Sequence, residues 1–151
     1  MKKIILALFL FIGTIAIHAQ EIKWMPLDEA LAKQKKNPKP IFMDVYTDWC
    51  GPCKYLDANT FHDASIVEIV NANYYAVKFN AEGNSSVTYK GTTYTNPGFD
   101  PNRKGRNSAH EFTKFLSVAG YPSMYIINKK GDLKEPIVGY LTPEQLLPML
   151  K

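Results

Sequence analysis

The sequence is poor in the features that hold small or specialised proteins together. It has 151 residues and two cysteines, which excludes a scaffold stapled by several disulfides. Three histidines are present, and only His62 and His110 lie beyond residue 19; neither stands at a zinc-finger spacing from the cysteine pair. No internal repeat and no low-complexity tract occurs. Neither sign of charge dominates, with 18 Lys and Arg against 14 Asp and Glu. The densest basic cluster, Arg103-Lys104-Gly105-Arg106, sits among Pro, Gly and Asn without interleaved aromatics and reads as a solvated loop. No nucleic-acid partner is expected. At 46% hydrophobic and 21% charged, with 8 Phe, 9 Tyr and 2 Trp, the chain has the material for one well-packed domain with an aromatic core.

The longest apolar run is at the start. Met1-Lys2-Lys3 precedes Ile4 to Ile17, which would span roughly 21 Å as a helix at ~1.5 Å per residue, against a bilayer core of about 30 Å. A basic start, a short apolar stretch and Ile17-His18-Ala19, an imperfect A-x-A site, predict a signal peptide over residues 1–19 cut after Ala19. An uncleaved anchor is the alternative. Export removes Lys2 and Lys3 but no acid, leaving 16 basic against 14 acidic side chains, and places residues 20–151 in the periplasm or outside the cell, where disulfides persist. No stable membrane association is expected once the signal is gone, and a monomer is expected.

Along residues 20–151 the patterns give a short strand near Ile22–Met25 and a helix over Leu27–Lys36, stopped by Asn37-Pro38-Lys39-Pro40. A buried strand follows over Ile41–Tyr46, in which Asp44 is the anomaly. Next come a helix from Pro52 toward Thr60, an amphipathic helix over Ser65–Ala72 and a strand over Tyr74–Phe79. Residues 81–107 are rich in Gly, Asn, Thr and Ser and read as an irregular insertion, with a hairpin over Val87–Tyr94 turning at Lys90-Gly91. Ser108 is expected to cap a helix through Ser117, with Glu111 completing a capping box and Phe112, Phe115 and Leu116 facing inward. Strands over Ser123–Asn128 and Leu133–Tyr140 and a helix over Pro143–Leu150, capped by Thr142, complete the chain. The order predicts an α/β protein with a central mixed β-sheet flanked by helices.

Chemistry concentrates at Trp49-Cys50-Gly51-Pro52-Cys53-Lys54. Cysteines three apart at the start of a helix can close a small ring without unfolding anything. The first would sit at the positive end of the helix dipole, where a thiolate is stabilised. Cys50 is therefore the expected nucleophile, and Cys53 the thiol that resolves the mixed disulfide. A purely structural disulfide is the weaker reading, because a bridge across two residues restrains almost nothing.

This stretch resembles the thioredoxin family, whose active-site motif is WCGPCK. The resemblance extends from about Asp28 to Lys151 apart from the insertion, and implies the thioredoxin fold. It implies that Asp44 is the buried acid that takes the proton of Cys53, and that Lys78 is its neighbour; Asp44 as the cap of a turn is the alternative. It also implies that Tyr121-Pro122 is a cis-proline turn beside the thiols, and that Gly139 lies near the same edge. Trp49, Gly51, Pro52, Tyr121, Pro122 and Gly139 would then contact substrate. Tyr121 departs from the small hydroxyl residue often found before this proline. The stretch from Lys39 to Asn80 is similar also to the C-terminal domain of membrane thiol–disulfide interchange reductases. The implied activity is reduction of disulfides in exported proteins, using no cofactor and no metal and drawing electrons from a membrane donor. A disulfide oxidase or isomerase, or a non-catalytic binding module on the same fold, are the alternatives. In the sheet that the resemblance implies, the insertion leaves the end of a strand parallel to the one bearing Asp44, where ligands gather, so Tyr89, Tyr94 and Phe99 are expected to flank the site and select partners; a surface loop with no such role is the alternative.

Overall fold

Ile41–Tyr46 (β2) is the spine of the sheet, and its residues from Ile41 to Val45 are completely or almost completely buried. A computed structural model describes residues 20–151; the expected signal peptide lies outside the described residues. β2 runs parallel to β3 (Tyr75–Asn80) and antiparallel to β6 (Ser123–Ile127). The edges are β1 (Trp24–Met25), parallel to β3, and β7 (Ile137–Val138), antiparallel to β6. The sheet order is β1-β3-β2-β6-β7, the mixed sheet expected of the sequence.

Side chains alternate across a strand, so β2 serves two cores. Ile41, Met43 and Val45 face Leu27 and Ala30 of α1 (Leu27–Lys36), Val77 and Phe79 of β3, and Phe112 of α4 (Glu111–Phe115). Phe42, on the other face, packs with Leu56 of α2 (Gly51–Ala58), Ile66, Val67 and Val70 of α3 (Ala64–Asn73) and Leu146 of α5 (Pro143–Leu146). Each fully buried side chain of this size contributes about 1.5–3 kcal/mol. The same alternation puts Asp44 on the face covered by α2, directly opposite Lys78 in the β2–β3 register.

The insertion is more ordered than its composition suggests. Val87–Tyr89 (β4) and Thr92–Tyr94 (β5) form a hairpin whose turn residues, Lys90 and Gly91, both have positive φ, at 49° and 82°. That geometry matches the twist of paired strands and favours glycine. Tyr89 is buried against Phe112 and donates its hydroxyl to the Gly131 carbonyl at 2.7 Å. Tyr94 lies over Phe112 and Phe115. Tyr89 and Tyr94 are thus core residues, and not flanks of the site; aromatic burial outweighed their place in a polar segment. Asn96 closes the remaining loop by donating to the carbonyls of Gly83 at 2.9 Å and Ser108 at 2.7 Å.

Three elements differ from expectation. The helix expected over 108–117 is one short piece, Glu111–Phe115. His110, and not Ser108, caps it: buried His110 accepts from Phe112 N at 3.0 Å through Nδ1, while its Nε2 lies 2.6 Å from the Ser85 carbonyl. Glu111 is spent elsewhere, accepting from both N and Oγ1 of Thr95, and Phe115 is 46% exposed. The strand expected over 133–140 is paired only at Ile137–Val138, with a single bridge at Leu133, because Pro136 has no N–H to give the ladder. The last helix is α-helical only to Leu146 and tightens to a 3-10 turn over Leu147–Leu150, where Pro148 cannot donate to the preceding turn.

Candidate active site

Cys50 is the N-cap of α2, and Pro52 lies in the helix's first turn, where its missing N–H costs nothing. The Cys50 Sγ accepts from Cys53 N at 3.1 Å, and the two sulfurs are joined as a disulfide. In this bridged state both cysteines are buried, Cys50 at 3% and Cys53 at 2% exposure. The bond to Cys53 and the amide contact draw the Cys50 sulfur onto the first helical turn. Around the pair, Gly51 and Pro52 are exposed and Trp49 is 37% exposed, so the rim of the site faces solvent.

On the sheet face that α2 covers lies a charge cluster built around buried Asp44. Asp44 Oδ2 accepts from Lys78 Nζ at 2.7 Å, whereas Asp44 Oδ1 is buried without a protein partner. Burial pushes the Asp44 carboxyl up to about 6, against the opposing pull of the Lys78 ammonium. Lys78 also contacts Asp57 of α2 through Oδ1. Its ammonium lies 5.0–5.3 Å from the ring centroids of Tyr46, Trp24 and Phe61. Burial acts to lower the Lys78 pKa, but the Asp44 and Asp57 carboxylates outweigh it and the net shift is upward. Asp44 is thus a carboxyl raised by burial into the range where it can exchange a proton, and its partner Lys78 keeps its charge.

On the opposite side, Tyr121-Pro122 is a cis peptide. The Tyr121 ring meets the Trp49 indole edge to face, with centroids 5.8 Å apart. The Pro122 carbonyl accepts from Gly139 N at 2.8 Å. Gly139 has φ of +96°, a conformation that strains any L side chain, and a Cβ there would meet no neighbour, so backbone geometry alone calls for glycine. Trp49 and Tyr121 thus join the proline turn to the rim of the cysteine pair, and Gly139 braces that turn through its backbone, while Asp44 and Lys78 meet each other on the face that α2 covers.

Three participants were not foreseen. Asp57 had a signal, since it stands four residues after Cys53 on the same helix. Glu82 had none, and Arg106 stood in the basic cluster read as a solvated loop. Glu82 Oε2 accepts from Trp49 Nε1 at 3.0 Å and from Asn107 N at 2.7 Å, and the Arg106 guanidinium lies 4.2 Å from the centroid of the Trp49 ring. The insertion does reach the site, through Arg106 and Asn107. The expected Phe99 is half-buried within its own loop.

A five-stranded mixed sheet with a Cys-x-x-Cys pair at a helix N-terminus and a cis-proline turn opposite defines a thioredoxin-type protein. The chain matches the Thioredoxin-like domain family over residues 27–151 and belongs to it. It is 26% identical over 135 residues to the thiol:disulfide interchange protein DsbD of Campylobacter jejuni, an alignment covering 89% of this chain and 20% of that protein. The chain spans a fifth or less of the length of the DsbD relatives it matches. Among solved structures, a thioredoxin from Thermus thermophilus superposes with a TM-score of 0.62 at 15% identity, covering 86% of this chain and 85% of that one. The oxidised C-terminal domain of Neisseria meningitidis DsbD superposes with 0.52 at 20% identity, covering 83% and 95%. These two share the fold. No helix among the described residues is long and apolar enough to cross a membrane.

Proposed function

We propose that this protein is an exported thiol–disulfide oxidoreductase that reduces disulfides of extracytoplasmic proteins. The observation that carries this reading is the Cys53 N–H donated to Cys50 Sγ at the start of α2, a donor that stabilises a thiolate there. The reduced Cys50 thiolate attacks one sulfur of the substrate disulfide and expels the other as a thiolate. The Asp44 carboxylate, made a stronger base by burial, takes the proton of Cys53. Cys53 then attacks Cys50 Sγ, breaks the mixed disulfide and frees the second substrate thiol. Two electrons pass to the substrate, and the Cys50–Cys53 disulfide is left. Trp49, Gly51, Pro52, Tyr121 and Pro122 form the surface a substrate strand meets. The domain is residues 20–151 behind a cleaved signal over 1–19, and it acts as a monomer in the periplasm or outside the cell. A membrane reductase returns it to the dithiol, in keeping with its likeness to proteins named for thiol:disulfide interchange.

Insulin reduction with wild type, Cys50→Ser and Cys53→Ser tests the reaction. Turnover is expected only with both cysteines, and Cys53→Ser should accumulate the mixed disulfide. Titration against glutathione tests direction: a midpoint near about −270 mV fits a reductant, and one near about −120 mV an oxidant. A chain that leaves insulin intact is a binding module.

A further inference from the structure

The Trp49 ring is fixed on three sides. Glu82 holds its N–H, Tyr121 meets it edge to face, and Arg106 lies on its face. Arg106 is itself placed with care. The next residue, Asn107, donates its backbone N–H to Glu82 and its side chain to the Asp100 carbonyl at 2.8 Å, and it accepts from Asp100 N at 3.0 Å. The guanidinium is exposed, and among the described residues no carboxylate pairs with it and none of its N–H groups has an acceptor. The acid of the same group is otherwise engaged: Glu82 Oε2 takes two donors. Arginine can stack on an aromatic face and still offer its edge as a planar fork to a carboxylate. Trp49 directly precedes Cys50, so that fork lies on the aromatic rim of the redox pair.

We propose that Arg106 is a specificity residue: it binds an Asp or Glu side chain next to the cystine of the protein substrate. Exposed Arg103 and Lys104 in the same loop add a longer-range pull on acidic segments. The inference rests on the disulfide-exchange reading and names the substrate class of that site.

The test uses cystine-containing peptides identical except for Glu, Gln or Lys beside the cystine. The full chain should favour Glu over Gln by about three- to tenfold in kcat/KM, and the ratio should shrink as salt rises. Arg106→Gln should bring the ratio to about one, and Arg106→Glu should invert the preference toward the Lys peptide, an outcome no misfolded variant produces. A wild-type ratio of one overturns the proposal. So does a ratio that survives in Arg106→Gln, including when all rates fall together, since Arg106 would then act only by holding Trp49. Anisotropy of labelled serine analogues of the same peptides, bound to the oxidised chain, separates the two readings. A Glu preference in binding without turnover of any peptide upholds the Arg106 assignment and refutes disulfide exchange. Turnover with no Glu preference in either measurement does the reverse.

Discussion

Replacing Asp44 by Asn tests the buried acid without enzymology. Asp44 is fully buried and its carboxyl is pushed up to about 6 from an ordinary 3.8, mainly by burial. A carboxyl raised in the folded state favours folding while it is protonated, below about pH 4. That advantage disappears as pH climbs through the folded-state value. The gap of about 2 pKa units, at about 1.4 kcal/mol each, makes the ionised carboxylate cost about 3 kcal/mol at pH 8. Asn approximates the neutral acid, so Asp44→Asn should match wild type near pH 3 and exceed it by about 3 kcal/mol at pH 8. The assay is urea unfolding of the disulfide-bonded forms followed by circular dichroism across that range. With a slope of about 1–3 kcal/mol/M, the midpoints at pH 8 should separate by at least about 1 M. A constant difference between the two proteins, or a wild type that gains on the variant as pH rises, would refute the argument that burial dominates over Lys78.

Lys78→Met removes the ammonium whose pull holds the Asp44 carboxyl down, so that carboxyl should titrate above the wild-type value of about 6; carbon-detected NMR titration of Asp44 reads this directly, and an unmoved or lowered value contradicts it. Gly139→Ala puts a side chain at φ +96° next to the amide that holds Pro122, and should cost about 1–3 kcal/mol in thermal unfolding. A variant that melts with wild type would show that the brace is not needed.

Much of the site was readable from residue type and spacing. The cysteine pair, the glycine and proline between them and an acid in an otherwise apolar strand are local patterns, each imposed by chemistry that acts within one element. Period-two alternation along Ile41–Tyr46 likewise fixes which side chains share the face with Asp44. Element ends were less legible. The short α4 starts where it does because buried His110 caps it, with its ring held against the Ser85 carbonyl 25 residues away, and because Glu111 is claimed by Thr95 16 residues away.

Residue order alone therefore determined the class of protein, the redox pair and the strand carrying the acid, because a helix N-terminus and a pleated strand dictate their own geometry. Only the tertiary structure decided that Asp57 joins Asp44 on Lys78, that Tyr89 and Tyr94 go to the core, and that Arg106 covers Trp49. Those pairings join residues 18 to 57 positions apart in the chain, and no local propensity encodes them. They follow from which apolar surfaces must be buried once the sheet has formed, and from where that burial leaves the remaining charges.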